Sequence, residues 1–252
     1  MKRLASVIAL ASALALALCL AGCSQAESKP SYQVAQVGKL TVAMDPEFPP
    51  FESLDGQEPT GFDVSFAREV ANRLGLELDI ETVPFEEIVQ GVHDGTYDVG
   101  ISGISINPDR SELVDFSSPY YLVDQAIVCK KGACDVVSEL KGKRIAAQAD
   151  TTGYDYAKAN VSSSVVSYNT VAECFAALEV GDVAAVVVDE PAARHMISEA
   201  YSDCAAIETV ATCEKYAVAV NKNNRNLTDA INQIIDDMDK DGTLNTLQKQ
   251  VE

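Results

Sequence analysis

The chain has 252 residues, 47% of them hydrophobic, which suits one large domain or two lobes of about 100 residues each with buried cores. Thirty-eight acidic residues against 19 basic ones leave a net charge of −19. That excludes a nucleic-acid partner, which needs a basic face, and disfavours polybasic adhesion to anionic lipid.

The N-terminus opens with Lys2 and Arg3, followed by an apolar run from Leu4 to Leu20 and then Ala21-Gly22-Cys23. A short positive region, an apolar stretch and small residues make a secretory signal. An ordinary signal or an N-terminal membrane span is the competing reading, since the run is near the minimum length for a span. Leu-Ala-Gly before the cysteine is similar to the lipobox of bacterial lipoproteins. On that resemblance residues 1–22 form a signal peptide, Cys23 receives the lipid (diacylglycerol, with palmitate as the expected acyl group), and residues 23–38 form a polar tether. The protein is then expected outside the cytoplasm, lipid-anchored to the cell membrane, at the cell surface or in the periplasm. No later apolar run is long enough to span a bilayer.

From Lys39 the chain alternates between two periods. Lys39–Met44 reads as a strand. Phe66, Val70 and Leu74 recur at helical spacing within Phe62–Leu74, and 76–83 reads as a strand. Phe85, Ile88, Val89 and Val92 line one face of a helix over Phe85–His93, and 97–102 returns to strand. The theme then repeats: strand over 144–149, a helix beginning at 154–159, strand over 165–168, a helix over 170–180, and strand over 184–189. Thr170 and Glu173 form a capping box at the start of that last helix. A final helix carries Leu227, Ile231, Ile234, Ile235 and Met238 on one face, with Gly242 at its stop. Strand and helix in turn imply βαβ units with mostly parallel sheets in two lobes.

Cysteines and histidines bear on metals and disulfides. Apart from Cys19 in the signal and Cys23, the thiols are Cys129, Cys134, Cys174, Cys204 and Cys213. Export permits disulfides, and an odd set leaves at least one thiol unpaired. Cys129 and Cys134 flank a short turn-like stretch and can reach bonding distance. Cys204 and Cys213 form a second candidate pair, and Cys174 shares an apolar helix face, so it is expected buried and free. There is no Cys-x-x-Cys, and His93 and His195 lie far from any cysteine in sequence, so no zinc site is expected. No cofactor is called for.

Several short motifs, taken in order, resemble one family. They are Gly61-Phe62-Asp63-Val64 leading to Phe66, Tyr97-Asp98-Val99-Gly100, Asn107-Pro108-Asp109-Arg110 and Asp115-Phe116-Ser117-Ser118-Pro119-Tyr120. Gly181-Asp182 before the strand ending at Asp189, and Asp241-Gly242-Thr243-Leu244, complete the set. From about residue 38 to 250 the chain resembles the polar amino acid solute-binding proteins of bacterial ABC importers, solute-binding family three. Ser65 departs from the pattern, standing where an acidic residue is usual.

The resemblance implies an α/β, type II periplasmic-binding-protein-like fold with two lobes, two hinge strands and the ligand in the interlobe cleft. Lobe one would take residues 39–123 and 218–252, and lobe two 126–214. It implies a monomer that hands its ligand to a permease driven by a cytoplasmic ATPase. Clefts between lobes are where small-ligand sites occur.

By the same resemblance, Arg110 matches the carboxylate-binding arginine, whose planar fork suits a carboxylate. Backbone donors there and at Thr151 would assist. Asp189 matches the ammonium-binding aspartate, with Ser105 and a Gly103 carbonyl beside it. Phe48 and Phe85 match the aromatics that hold the ligand side chain. Asp45 and Gln148 match positions at its distal end, and an acid there favours a basic or neutral polar side chain. The bland readings are a surface Arg110 paired with Asp109 or Glu112, a Thr151 that only caps a helix, a strand-end Asp189, and core phenylalanines. Two other functions compete: a sensing module that reports to a receptor, and an enzyme of the same fold, such as a dehydratase. The second would need an acid or base aimed at a reacting atom, and no triad order, nucleophile elbow or metal spacing is present.

Overall fold

Two five-stranded sheets organise residues 32–251, the part of the chain that the computed structural model describes. The first lobe begins with β1 (Lys39–Met44), the hairpin β2 (Ser53–Asp55) and β3 (Glu58–Thr60), α1 (Phe62–Leu74) and β4 (Glu77–Thr82). It continues through α2 (Phe85–His93), β5 (Val99–Gly100), α3 (Pro108–Leu113) and β6 (Val114–Phe116). The chain then crosses to β7 (Tyr121–Lys130), β8 (Arg144–Gln148), α4 (Thr152–Tyr156) with a π-helical turn over Ala157–Val161, and β9 (Ser164–Tyr168). It goes on through α5 (Val171–Val180), β10 (Ala185–Asp189), α6 (Glu190–Glu199) and β11 (Cys204–Tyr216). It returns through β12 (Ala219–Asn221), α7 (Arg225–Asp241) and α8 (Thr243–Gln248).

The sheet orders are β4-β1-β5-β12-β6 and β11-β7-β10-β8-β9. In each, the βαβ strands pair in parallel: β1 with β4 and β5, and β8 with β9 and β10. The strands next to the crossings run antiparallel. This is the two-lobed α/β architecture expected from the alternating periods.

Local signals place these elements. Helix α1 buries Phe62, Phe66 and Val70, and stops at Gly75, whose left-handed backbone (φ 73°) returns its N–H to the carbonyls of Ala71 and Asn72. The Phe66 ring stacks on Tyr120 with centroids 4.3 Å apart, so Phe66→Ala is expected to cost about 3–5 kcal/mol. Helix α5 has the full capping box between Thr170 and Glu173. Helix α7 buries Leu227, Ile231, Ile234, Ile235 and Met238, and with α8 it packs on α1. The C-terminal segment therefore completes the first lobe.

Some expectations change. The strand read over 97–102 shrinks to Val99–Gly100, because the residues after Gly100 leave the sheet to form a cleft turn. Helix α6 carried no recognised signal. Residues 32–38, assigned to the tether, lie against the first lobe: Tyr32 donates to the Leu74 carbonyl at 3.0 Å and Ala35 N–H donates to Asp98 at 2.6 Å. Residues 1–22, read as a signal peptide, and Cys23 fall outside the described residues.

Cys129 and Cys134 form a disulfide, while Cys174, Cys204 and Cys213 are free. The Cys204–Cys213 pairing fails because both sit on β11. Nine steps of extended chain separate them by roughly 25–30 Å, against a bridging limit of about 7 Å between Cα atoms.

Strands β7 and β11 pair antiparallel from Cys204 opposite Lys130 to Tyr216 opposite Tyr121, with a register shift between Val210 and Glu214. Cys213 takes φ 52° within that bulge, and its N–H donates to Asp124 at 2.9 Å. Extra residues in one strand re-aim the next side chain. The next residue here is Glu214, which turns toward the cleft.

Candidate functional site

A cavity lies between the lobes, and all nine residues singled out from the sequence line it. The first lobe contributes Asp45 from the end of β1, Phe48 from the following turn, Phe85 from the start of α2, and Gly103, Ser105 and Arg110. The second contributes Gln148 from the end of β8, Thr151 at the cap of α4, and Asp189 from the end of β10.

Arg110 is held from several sides. Asn107 caps α3 by accepting its N–H at 2.8 Å. Its Nη1 donates to the Ser105 carbonyl at 2.8 Å, and its Nη2 donates across the cleft to the Asp150 carbonyl at 2.7 Å. Its guanidinium lies 5.2 Å from the centre of the Phe85 ring. Arg110 is 9% exposed and has no ion pair with Asp109 or Glu112 among the described contacts. The surface reading therefore fails. Burial lowers its pKa, opposed first by Asp189 and then by Glu214; an arginine side chain nonetheless remains a cation. Two of its five N–H donors are committed to the carbonyls, leaving three for a ligand.

Asp189 accepts from Gln125 Nε2 at 2.5 Å. Burial pushes its carboxyl up to about 7, and the nearby Glu214 charge adds to this. Tyr216, Gln125 and Arg110 hold it down. Asp45 is pushed up to about 6 by burial and by Glu47, while backbone N–H groups of Phe85 and Glu47 favour its ionised form. Gln148 Nε2 donates to the Asn169 carbonyl at 2.9 Å and lies 3.4 Å from Asp45 Oδ2 across the cleft. The Thr151 hydroxyl accepts from Tyr154 N–H and donates to the Gln148 carbonyl, so its side chain is spent on capping. Phe48 stacks on Phe51 at 5.4 Å and also lines the cavity, while Phe51 is fully buried in the core. Gly103 sits at φ 54°, and a Cβ there would lie 3.0 Å from the Phe48 ring.

Sequence reasoning missed several members. Gln125 on β7 lines the cavity fully buried, and its Oε1 has no donor partner. Gly153 lets α4 approach, since a Cβ would meet Gln125 Oε1 at 2.9 Å. Glu214 accepts from Ser105 of the first lobe at 2.7 Å and from Thr152 and Gln125 of the second at 2.5 and 3.0 Å. Nothing local marks Gln125 or Glu214, because each is placed by pairing between strands far apart in sequence. The Thr151-Thr152-Gly153 turn was the one available signal for Gly153.

The cavity lining thus holds one guanidinium from the first lobe, the carboxyls of Asp45 and Asp189 and two aromatic rings, with Glu214 bonded behind them to Ser105, Gln125 and Thr152. The sequence pattern described as bacterial extracellular solute-binding proteins, family 3, matches residues 40–251. The chain belongs to that family. It is 30% identical over 224 residues to the L-cystine-binding protein TcyJ of Escherichia coli, covering 86% of this chain and 84% of that one. It is 27% identical over 218 residues to ABC transporter arginine-binding protein 1 of the same species, covering 84% and 90%. Among solved structures it is similar to the amino acid ABC transporter substrate-binding protein AbpA of Streptococcus pneumoniae bound to L-arginine. That likeness has a TM-score of 0.78 and 32% identity, covering 85% of this chain and 94% of that one. The two-lobed architecture is the type II fold of these solute-binding proteins. This is a family of extracellular binding proteins, and the dehydratase reading is not favoured.

Proposed function

We propose that this protein captures a basic L-amino acid in its interlobe cleft and delivers it to an ABC permease with its cytoplasmic ATPase. The supporting observation is that Arg110 of the first lobe and Asp189 of the second line the same cavity. A free amino acid carries the matching carboxylate and ammonium. Only a zwitterion satisfies both groups at once, so ligand strengthens closure of the lobes.

The remaining N–H donors of Arg110 take the carboxylate in a planar fork. Asp189, with the unpartnered Gln125 Oε1 and the Gly103 and Ser105 region nearby, receives the ammonium. The side chain lies between Phe48 and Phe85, reaching toward Asp45 and Gln148. The surplus of carboxylates over the single guanidinium favours a second positive charge on the ligand, because an acidic side chain would meet an unpaired like charge. Thr151 contributes through its backbone, since its hydroxyl is occupied.

The same reading makes residues 1–22 a signal peptide and Cys23 a lipidated anchor, with a monomeric binding unit on the membrane's outer side. It places lobe one at 39–123 with 218–252, and lobe two at 126–214.

The test is a thermal-shift screen against the twenty amino acids and cystine, followed by calorimetry on the best ligand, because ligand binding raises stability by mass action. L-Arginine or L-lysine should give the largest shift, and Arg110→Ala should abolish it while the circular dichroism spectrum is kept. Wild-type affinity in Arg110→Ala would place the site elsewhere.

A further inference from the structure

Behind the cleft wall, Glu52 and Asp63 are both fully buried, and neither is in an ion pair with a lysine or arginine among the described residues. Two of the four carboxyl oxygens have donors. Glu52 Oε1 accepts from the Ser102 hydroxyl at 2.6 Å. That hydroxyl accepts in turn from Asp45 N–H, so its single proton is spent on Glu52. Asp63 Oδ2 accepts from Gly103 N–H at 2.6 Å and from the Tyr120 hydroxyl at 3.1 Å. Two oxygens remain without a donor: Glu52 Oε2 and Asp63 Oδ1. The two carboxyl groups lie close enough for each to shift the ionisation of the other.

Two carboxylates stripped of water and lying against one another cannot both ionise without a large cost. The groups facing the pair are Asp45, Tyr120 and Tyr216, which bring no positive charge. Burial and the Asp63 charge push the Glu52 carboxyl well above the usual carboxylate range, and its contact with Asp63 works in the same direction. Asp63, with two protein donors on Oδ2, is the member built to carry the anion.

We infer that Glu52 and Asp63 share one proton, carried on Glu52 Oε2 and donated to Asp63 Oδ1, and that this dyad positions the first-lobe wall of the ligand cleft. The proton satisfies both unpartnered oxygens with one bond. The dyad reaches four cavity-lining residues, Phe48, Asp45, Ser102 and Gly103. Glu52 backbone N–H and carbonyl pair with Phe48 at 3.1 Å each, Ser102 links Glu52 to Asp45 N–H, and Asp63 holds Gly103 N–H. Asp63 N–H also bonds the Phe51 carbonyl at 2.9 Å, and Gly61, just before α1, has no room for a side chain, since a Cβ would meet that carbonyl at 2.4 Å. The dyad therefore acts on the ligand through Phe48, Asp45 and Gly103 without touching it.

The proton gives a signature that packing alone does not. In the unfolded chain Glu52 ionises with a pKa of about 4.3; in the native protein it stays protonated well above that. The native state binds the extra proton, so this site makes stability fall as pH rises, by about tenfold in the unfolding constant per pH unit. Glu52→Gln keeps the shape and supplies a permanent donor to Asp63, so it lacks this slope.

Unfolding constants of wild type and Glu52→Gln, measured without ligand by denaturant titration from about pH 5 to pH 8, test the shared proton. The wild-type constant divided by that of the variant should rise by up to about tenfold per pH unit. A ratio that stays flat across the range overturns it. The positioning role rests on the ligand reading above and is tested separately, with L-arginine as probe. Glu52→Ala should lose at least about tenfold in affinity, and Glu52→Gln should restore most of that loss. Equal losses in the two variants overturn the positioning role. If L-arginine fails to bind wild type, the ligand reading fails while the pH ratio still tests the dyad.

Discussion

Replacing Asp189 with Asn keeps the side chain's shape and its contact with Gln125 while removing the charge, so it separates binding from folding. In the closed cleft the Asp189 carboxyl is raised from 3.8 to about 7, burial first and the Glu214 charge second. A carboxyl whose native pKa lies above its unfolded value binds its proton more tightly when folded. It therefore removes stability as pH rises from about 4 to about 7, and the loss is complete above that. Each unit is worth about 1.4 kcal/mol, which sets an upper limit of about 4 kcal/mol. Because the side chain is only partly shielded from water, about 2–4 kcal/mol is the expected range. Asp189→Asn should thus make the ligand-free protein more stable than wild type at about pH 8. The same substitution leaves the ligand ammonium facing a neutral amide and should cost about 2–5 kcal/mol of binding, roughly thirty-fold to several-thousand-fold in affinity. Denaturant titration without ligand and calorimetry with L-arginine measure the two effects. Affinity within about threefold of wild type, or a ligand-free variant less stable than wild type at about pH 8, would refute the reasoning.

Further outcomes are expected at Asp45 and at the cysteines. Asp45→Asn should lower L-arginine affinity by at least about tenfold and L-glutamine affinity far less, since only the former presents a distal cation. Asp45 is raised to about 6, so wild-type arginine affinity should weaken below about pH 6, where binding must first displace a proton; equal losses for both ligands would remove Asp45 from the side-chain site. Mass spectrometry of the exported protein should find an acylated Cys23 at its N-terminus and, after alkylation in non-reducing denaturant, three labelled thiols, at Cys174, Cys204 and Cys213. The exposed Cys213 should label first in the native protein, as burial pushes Cys174 up to about 12 and Cys204 up to about 11. A different N-terminus, or five labelled thiols, contradicts the corresponding claim.

Much of the architecture is local and was legible without coordinates. The stripe of Phe66 and Val70 fixes which face of α1 is buried, and Thr170 with Glu173 marks where α5 begins. Gly75, Gly181 and Gly242 end their helices in left-handed backbone. These features depend on residues three or four positions apart, so the chain encodes them before it folds. Ser65, the one departure from the family pattern, costs little because its hydroxyl bonds the Gly61 carbonyl and Gln250 at the protein surface. The nine cleft residues were reached through family resemblance: spacing alone does not distinguish a buried Arg110 from a solvated one.

Tertiary structure decided the rest. Gln125 and Glu214 enter the site because β7 and β11 pair across a register shift, and no short window of sequence records a partner that far away. The same pairing spreads Cys204 and Cys213 along one extended strand and so rules out their bridge. In the sequence Asp63 stands only as part of a family motif and Glu52 carries no mark at all. Only the closing of the core around both removes the water that would have kept each ionised, because a group's charge state is set by its surroundings rather than by its neighbours along the chain.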